Sequence, residues 1–156
     1  MEMKDEIRIE APRDTVYAAL NDPDILKACI PGCEELTRHS DSELEAKVVL
    51  KIGPVKARFA GNVTLDNSQA PQRFSLTGEG SGGVAGFAKG GADVELVEEG
   101  GNATLLRYEA KADIGGKIAQ LGSRLIDSTA RRLAGKFFAS FKEEVEEAGG
   151  QSAESA

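Results

Sequence analysis

The sequence predicts an α+β fold: a curved antiparallel sheet of about seven strands, in the order β-α-α-β6-α, wrapped around a long C-terminal helix. Three observations predict it. From Leu44 to Ile114 apolar residues recur at every second position, the period of strands with one buried face. Short turn signals, among them Gly53-Pro54 and Glu98-Glu99-Gly100-Gly101-Asn102, separate these runs, so neighbouring strands are joined as hairpins. The stretch from Gly116 to Glu147 contains no proline and is filled with good helix formers, Gly122 and Gly135 being its weak points. Roughly thirty residues at about 1.5 Å each make a rod of about 45 Å, which needs a large apolar partner surface.

The elements follow in order. Met3, Ile7 and Ile9 share one face of a first strand that ends at Glu10. Ala11-Pro12 opens a helix with Val16, Tyr17 and Leu20 inward, and Asn21-Asp22-Pro23 closes it. A second short helix from Pro23 turns Ile25, Leu26, Cys29 and Ile30 inward and stops at Pro31-Gly32. The next strand is expected over Cys33 to Arg38, with His39-Ser40-Asp41-Ser42 as turn chemistry. Leu44, Ala46, Val48, Leu50 and Ile52 mark the following strand, and Val55, Ala57, Phe59, Gly61, Val63 and Leu65 the one after. Phe74, Leu76 and Gly78 begin another, Val94 and Leu96 resume the alternation, and Thr104 to Ile114 is the last strand. Residues 1–147 are read as one domain and 148–156 as a disordered polar tail.

Composition narrows the function. The chain has 156 residues with a formal net charge of −7, which argues against general nucleic-acid binding. No apolar run approaches the length of a membrane span, and Met1 to Glu6 carries no signal-peptide core, so a cytoplasmic location is expected. Cys29 and Cys33, with a single histidine in the chain, form no zinc pattern and are read as small buried thiols; no metal site is expected. His39, Ser40 and Asp41 are adjacent and cannot converge as a triad, and no catalytic residue is identified. Gly78-Glu79-Gly80-Ser81-Gly82-Gly83 matches a dinucleotide-binding spacing formally, but strand patterns lie on both sides of it, so that reading is rejected. The glycine-dense stretch from Gly78 to Gly91 is read instead as backbone that bends, bulges or lets a bulky group pass close. Phe87 within it is either a wall of a site or an ordinary core residue.

The long helix carries two apolar stripes. One runs through Ala119, Gly122, Ile126, Ala130, Leu133, Ala134, Phe137, Phe141 and Val145 and is expected to lie on the sheet. Its first half is mostly small and its second half large, so either a cavity remains under the first half or helix and sheet approach closely there. The second stripe, Ile118, Leu121 and Leu125, is either a surface patch for a membrane or protein partner or merges with the first through a bend at Gly122. Lys117, Arg124, Arg131 and Lys142 flank it.

Several segments together resemble one family. They are Ile30-Pro31-Gly32-Cys33-Glu34, Lys51-Ile52-Gly53-Pro54-Val55 with Phe59 and Gly61, Gly86-Phe87-Ala88-Lys89-Gly90, and Gly115-Gly116-Lys117-Ile118-Ala119-Gln120-Leu121-Gly122. Over residues 1–147 the chain resembles the CoxG-type family of carbon monoxide dehydrogenase subunits, within the START-related helix-grip (SRPBCC) superfamily. The resemblance implies a helix-grip fold with an apolar cavity. It also implies a non-catalytic accessory of a molybdenum-containing carbon monoxide dehydrogenase-type enzyme, working at the inner face of the cytoplasmic membrane. The expected ligand is hydrophobic, a quinone being the natural candidate, with no covalent cofactor. Expected lining residues are Ile30, Leu50, Phe59, Leu76, Phe87, Ala119, Gly122 and Ile126, and the expected partner or membrane surface is Lys117, Ile118, Leu121, Arg124 and Leu125. The alternatives are a docking protein without a ligand and a cyclase- or hydrolase-like enzyme of the same superfamily.

Overall fold

In the computed structural model the described residues are 1–155 for the backbone and 1–148 for the side chains. Of the tail expected over 148–156, the backbone is described as far as Ser155, and the side chains beyond Ala148 lie outside the described residues. Strand β1 (Glu2–Ile9) is followed by helices α1 (Arg13–Leu20) and α2 (Pro23–Cys29), then by β2 (Cys33–Ser40), β3 (Glu43–Ile52), β4 (Val55–Asp66), β5 (Arg73–Ser81), β6 (Phe87–Glu98) and β7 (Thr104–Gly115). Helix α3 (Ser123–Ser155) closes the chain. Short 3₁₀ turns occupy Gly83–Ala85, between β5 and β6, and Lys117–Leu121, before α3.

The strands form one seven-stranded sheet in the order β1-β7-β6-β5-β4-β3-β2, antiparallel at every ladder. Hairpins set the sequential neighbours, and the excursion through α1 and α2 carries the chain from one edge strand to the other. Asp22 caps α2 by accepting from the Asp24 amide at 2.9 Å, and Pro23 stands at its first turn, where a missing N–H costs nothing.

Two details depart from the sequence reading. His39 belongs to β2 rather than to a turn; its ring nitrogen Nε2 lies 2.7 Å from Glu45 Oε2 across the β2–β3 ladder, exposed to solvent. The turn is made by Asp41 and Ser42 alone. The C-terminal helix is also not continuous from Gly116. Gly116 and Gly122 have φ of +80° and +96°, conformations open to glycine and strained for other residues. They bound the 3₁₀ turn, and the regular helix begins at Ser123.

The core gathers at one end. Phe141 and Val145 of α3 are fully buried against Ile9, Val16, Leu96 and Leu106. Phe137 stacks on Phe141 with centroids 5.6 Å apart, and Phe138 stacks on Tyr108 at 5.0 Å. Lys142 Nζ donates to the Arg8 carbonyl at 2.7 Å and lies 2.9 Å from Glu146, so this member of the basic row ties α3 to β1. A second cluster, Leu26, Leu44 and Leu65, packs α2 against β3 and β4. Removing the central plug tests this arrangement. Phe141→Ala is expected to lower unfolding free energy by about 3–5 kcal/mol, read from the urea midpoint.

Candidate functional site: an apolar cavity under the first half of α3

The strand registers explain why the other end is hollow. Gly61 of β4 faces Gly80 of β5, Gly78 faces Gly90 of β6, and Gly90 faces Ala112 of β7. Leu76, Ala92 and Ala110 form the next row. The concave face across β4 to β7 is thus floored by hydrogens and methyls where other sheets carry Leu or Val. A Cβ at Gly90 would collide with the Lys111 carbonyl oxygen, so the bare floor is also a steric requirement of the ladder. Helix α3 is held down by Phe137, Phe141 and Val145 further along, and above the floor it presents Ile126, Thr129, Ala130 and Leu133, spaced for one helical face.

A cavity of about 540 Å³ remains between them. Its walls are overwhelmingly apolar: Ile30 and Pro31 after α2, Ala46, Val48, Leu50 and Ile52 of β3, Phe59 and Val63 of β4, and Ile114 and Ile118 at the far side. Asn62, Glu79, Lys89 and Lys111 border it, yet all four are exposed and stand on the polar phase of their strands, so alternation turns their side chains to the outer face. The cavity's size is that of a small-molecule site. Among the described residues no cluster of His, Cys, Asp or Glu is arranged to hold a metal.

Of the eight residues expected to line a site, Ile30, Leu50, Phe59, Leu76 and Ile126 meet at this cavity. Phe87, Ala119 and Gly122 do not. Phe87 is 51% exposed, its ring lying over Gly115 on β7, because it begins β6 outside the curved face. Gly122 is exposed at the helix break, and Ala119 sits in the 3₁₀ turn, which the break rotates away from the helix stripe. Ile118, expected on the outer surface, is instead 3% exposed and part of the wall, lying under Gly86. The bend at Gly122 thus merges this residue of the second stripe with the interior. Lys117 and Arg124 are exposed, and Leu121 and Leu125 half-buried; Leu125 packs against Gly53 in the β3–β4 hairpin.

Sequence reasoning missed Thr129. It is 7% exposed and lies on the cavity wall. Its place three residues after Ile126 and four before Leu133 was the available signal, obscured by its polarity.

The two thiols lie outside this cavity. Cys29 is 3% exposed; burial, and secondarily the Glu144 charge, push its thiol above the ordinary range. Burial raises Cys33 as well, partly offset by Lys27. A raised pKa leaves little thiolate at neutral pH, so both should react slowly with iodoacetamide at pH 7 in the native state and rapidly once urea is added, as intact mass will show.

A curved antiparallel sheet gripping a long C-terminal helix over an apolar cavity defines the START-related helix-grip class. The chain belongs to the CoxG family of carbon monoxide dehydrogenase subunits, whose sequence profile matches residues 6–146. Among solved structures it is similar to a conserved protein from Geobacillus kaustophilus, with a TM-score of 0.87 and 26% identity over 95% of this chain and 97% of the other. It shares the fold of a START superfamily protein from Mycobacterium smegmatis, with TM-score 0.65 and 15% identity over 96% and 97% of the two chains. The ZhuI aromatase/cyclase from Streptomyces sp. R1128 also shares the fold, with TM-score 0.71 and 10% identity over 94% and 93%. No curated protein sequence matches this chain significantly.

Proposed function

We propose that this protein is a non-catalytic accessory of a carbon monoxide dehydrogenase-type molybdenum hydroxylase, and that it carries a hydrophobic ligand, a quinone being the best candidate, in the cavity under α3. Family membership supports the enzyme partner. The observation that carries the ligand is the apolar cavity of about 540 Å³. Filling it with water would be unfavourable, because its wall offers almost nothing for water to bond. An apolar molecule satisfies it.

The absence of paired acids or bases directed into the cavity, among the described residues, favours carriage over catalysis. Catalysis by a fold of this type would need at least one positioned proton donor or acceptor beside the reacting atom. Titration with a benzoquinone bearing a decyl tail, followed by native mass spectrometry, tests the reading. Ile126→Trp places an indole in the cavity and should abolish the quinone complex while leaving the thermal midpoint near the wild-type value. Quinone binding undiminished by that change would overturn it. Capture of the enzyme by Ile126→Trp protein, unchanged from wild type, would separate docking from ligand carriage.

The end of the molecule built from the two 3₁₀ turns is the surface we assign to a membrane. Gly86 and Gly116 meet there in backbone contact, bringing the turns together. Val84 is 94% exposed and Phe87 51% exposed, and Lys89, Lys117 and Arg124 nearby are exposed. Apolar tips with flanking cations suit an anionic headgroup layer. No helix among the described residues is long and apolar enough to cross a membrane, so the contact proposed is peripheral, at the cytoplasmic face. Val84→Glu combined with Phe87→Glu should reduce co-sedimentation with vesicles containing phosphatidylglycerol. Equal sedimentation of both proteins would remove this surface from the proposal.

A further inference from the structure

Two threonine residues are buried among the described residues, and the hydroxyl of only one has a protein partner. Thr104, 0% exposed, donates to the Ala11 carbonyl at 2.8 Å. Thr129, 7% exposed, has no hydrogen-bond partner among the described residues. The Leu125 carbonyl, one turn back, receives the Ser128 hydroxyl at 3.1 Å rather than that of Thr129. Thr129 lies between Ile126 and Leu133 on the helix face above the glycine floor, and it supplies the one side-chain hydroxyl in the cavity wall.

The Thr129 oxygen is not sealed in the core, since Arg13 Nε is the one fully buried side-chain polar atom without a partner among the described residues; it opens into the cavity, where an apolar filling that leaves it unbonded is costly. The floor beneath offers nothing, because the strand backbones there are paired with one another in their ladders. The polar side chains that border the cavity are exposed on the outer face of the sheet. The remaining partner is whatever enters the cavity, water or a ligand atom.

We propose that Thr129 Oγ1 is a specificity determinant of the cavity. It donates a hydrogen bond to an acceptor oxygen of the ligand, so the cavity selects an apolar molecule with a carbonyl-type oxygen partway along its length over a plain hydrocarbon of equal size. This rests on the reading of the cavity as a ligand site and specifies the chemistry of what enters it. Thr129 is the site's positioning donor, and the glycine and alanine floor leaves room for the ring or chain that bears the oxygen.

The experiment compares two probes of similar size, 2-undecanone and n-dodecane, as displacers of the neutral dye N-phenyl-1-naphthylamine from the full chain. Thr129→Val keeps the shape and removes the donor; Thr129→Ser keeps the donor. Loss of a neutral hydrogen bond should weaken 2-undecanone about 3- to 10-fold in Thr129→Val, with n-dodecane unchanged and Thr129→Ser like wild type. The thermal midpoint of ligand-free Thr129→Val should equal or exceed that of wild type, since an unpaired hydroxyl gives way to a methyl. Equal weakening of both probes, with a fall in midpoint, would assign Thr129 a purely structural role and overturn the proposal. Binding of both probes insensitive to residue 129 would overturn it while leaving the cavity reading intact. Failure of dye and probes to bind wild-type protein would overturn both.

Discussion

The structure depends on an unequal grip. One half of α3 is clamped to the sheet by Phe137, Phe141 and Val145, and the other half stands over residues that have almost no side chain. The clamp sets the height of the rod. A stiff helix held at one end cannot sag into a shallow floor at the other, and Ile126, Ala130 and Leu133 are too short to reach Gly78 and Gly90 across the gap. Hollow and plug are therefore one arrangement, and the tightest packing in the molecule maintains the space beside it.

The two ends of the cavity are built differently. At the end near α2, Ile30 and Pro31 continue from a capped helix into β2, and the Leu26, Leu44 and Leu65 cluster supports them. On the β6–β7 side the chain turns on glycine. Gly86 and Gly116 touch through their backbones, and each has positive φ, so neither tolerates a side chain. This junction brings Ile118 inward as wall and leaves Val84 and Phe87 outward. An apolar interior and an exterior with exposed apolar tips thus lie a few residues apart.

The fold was largely legible. Alternation from Leu44 to Ile114 and the hairpin turns specified the strands and their antiparallel pairing, and the absence of proline after Gly116 specified the rod. Part of the cavity wall was legible too, because Leu50, Phe59 and Leu76 are inward-phase strand residues and Ile126 lies on the helix stripe. Phe87, Ala119 and Gly122 were misplaced for one shared reason. Each lies beside a glycine-permitted turn, and a positive φ there redirects the following side chains in a way that neither helical nor strand periodicity encodes. Ile118 crossed from surface to interior by the same rotation.

By itself the sequence determined which residues of the regular strands and helices face the interior, because periods of two and of about 3.6 are local properties of a chain. It also determined that the C-terminal half of the rod would be the heavy half, since Phe137, Phe141 and Val145 are written there. Only the tertiary structure decided that Gly61, Gly78, Gly80 and Gly90 meet across two ladders to form a single floor, and that Thr129 stands above it without a protein partner for its hydroxyl. Register and enclosed volume arise from contacts between residues distant in the chain. No local pattern carries them, and the cavity exists only where those contacts coincide.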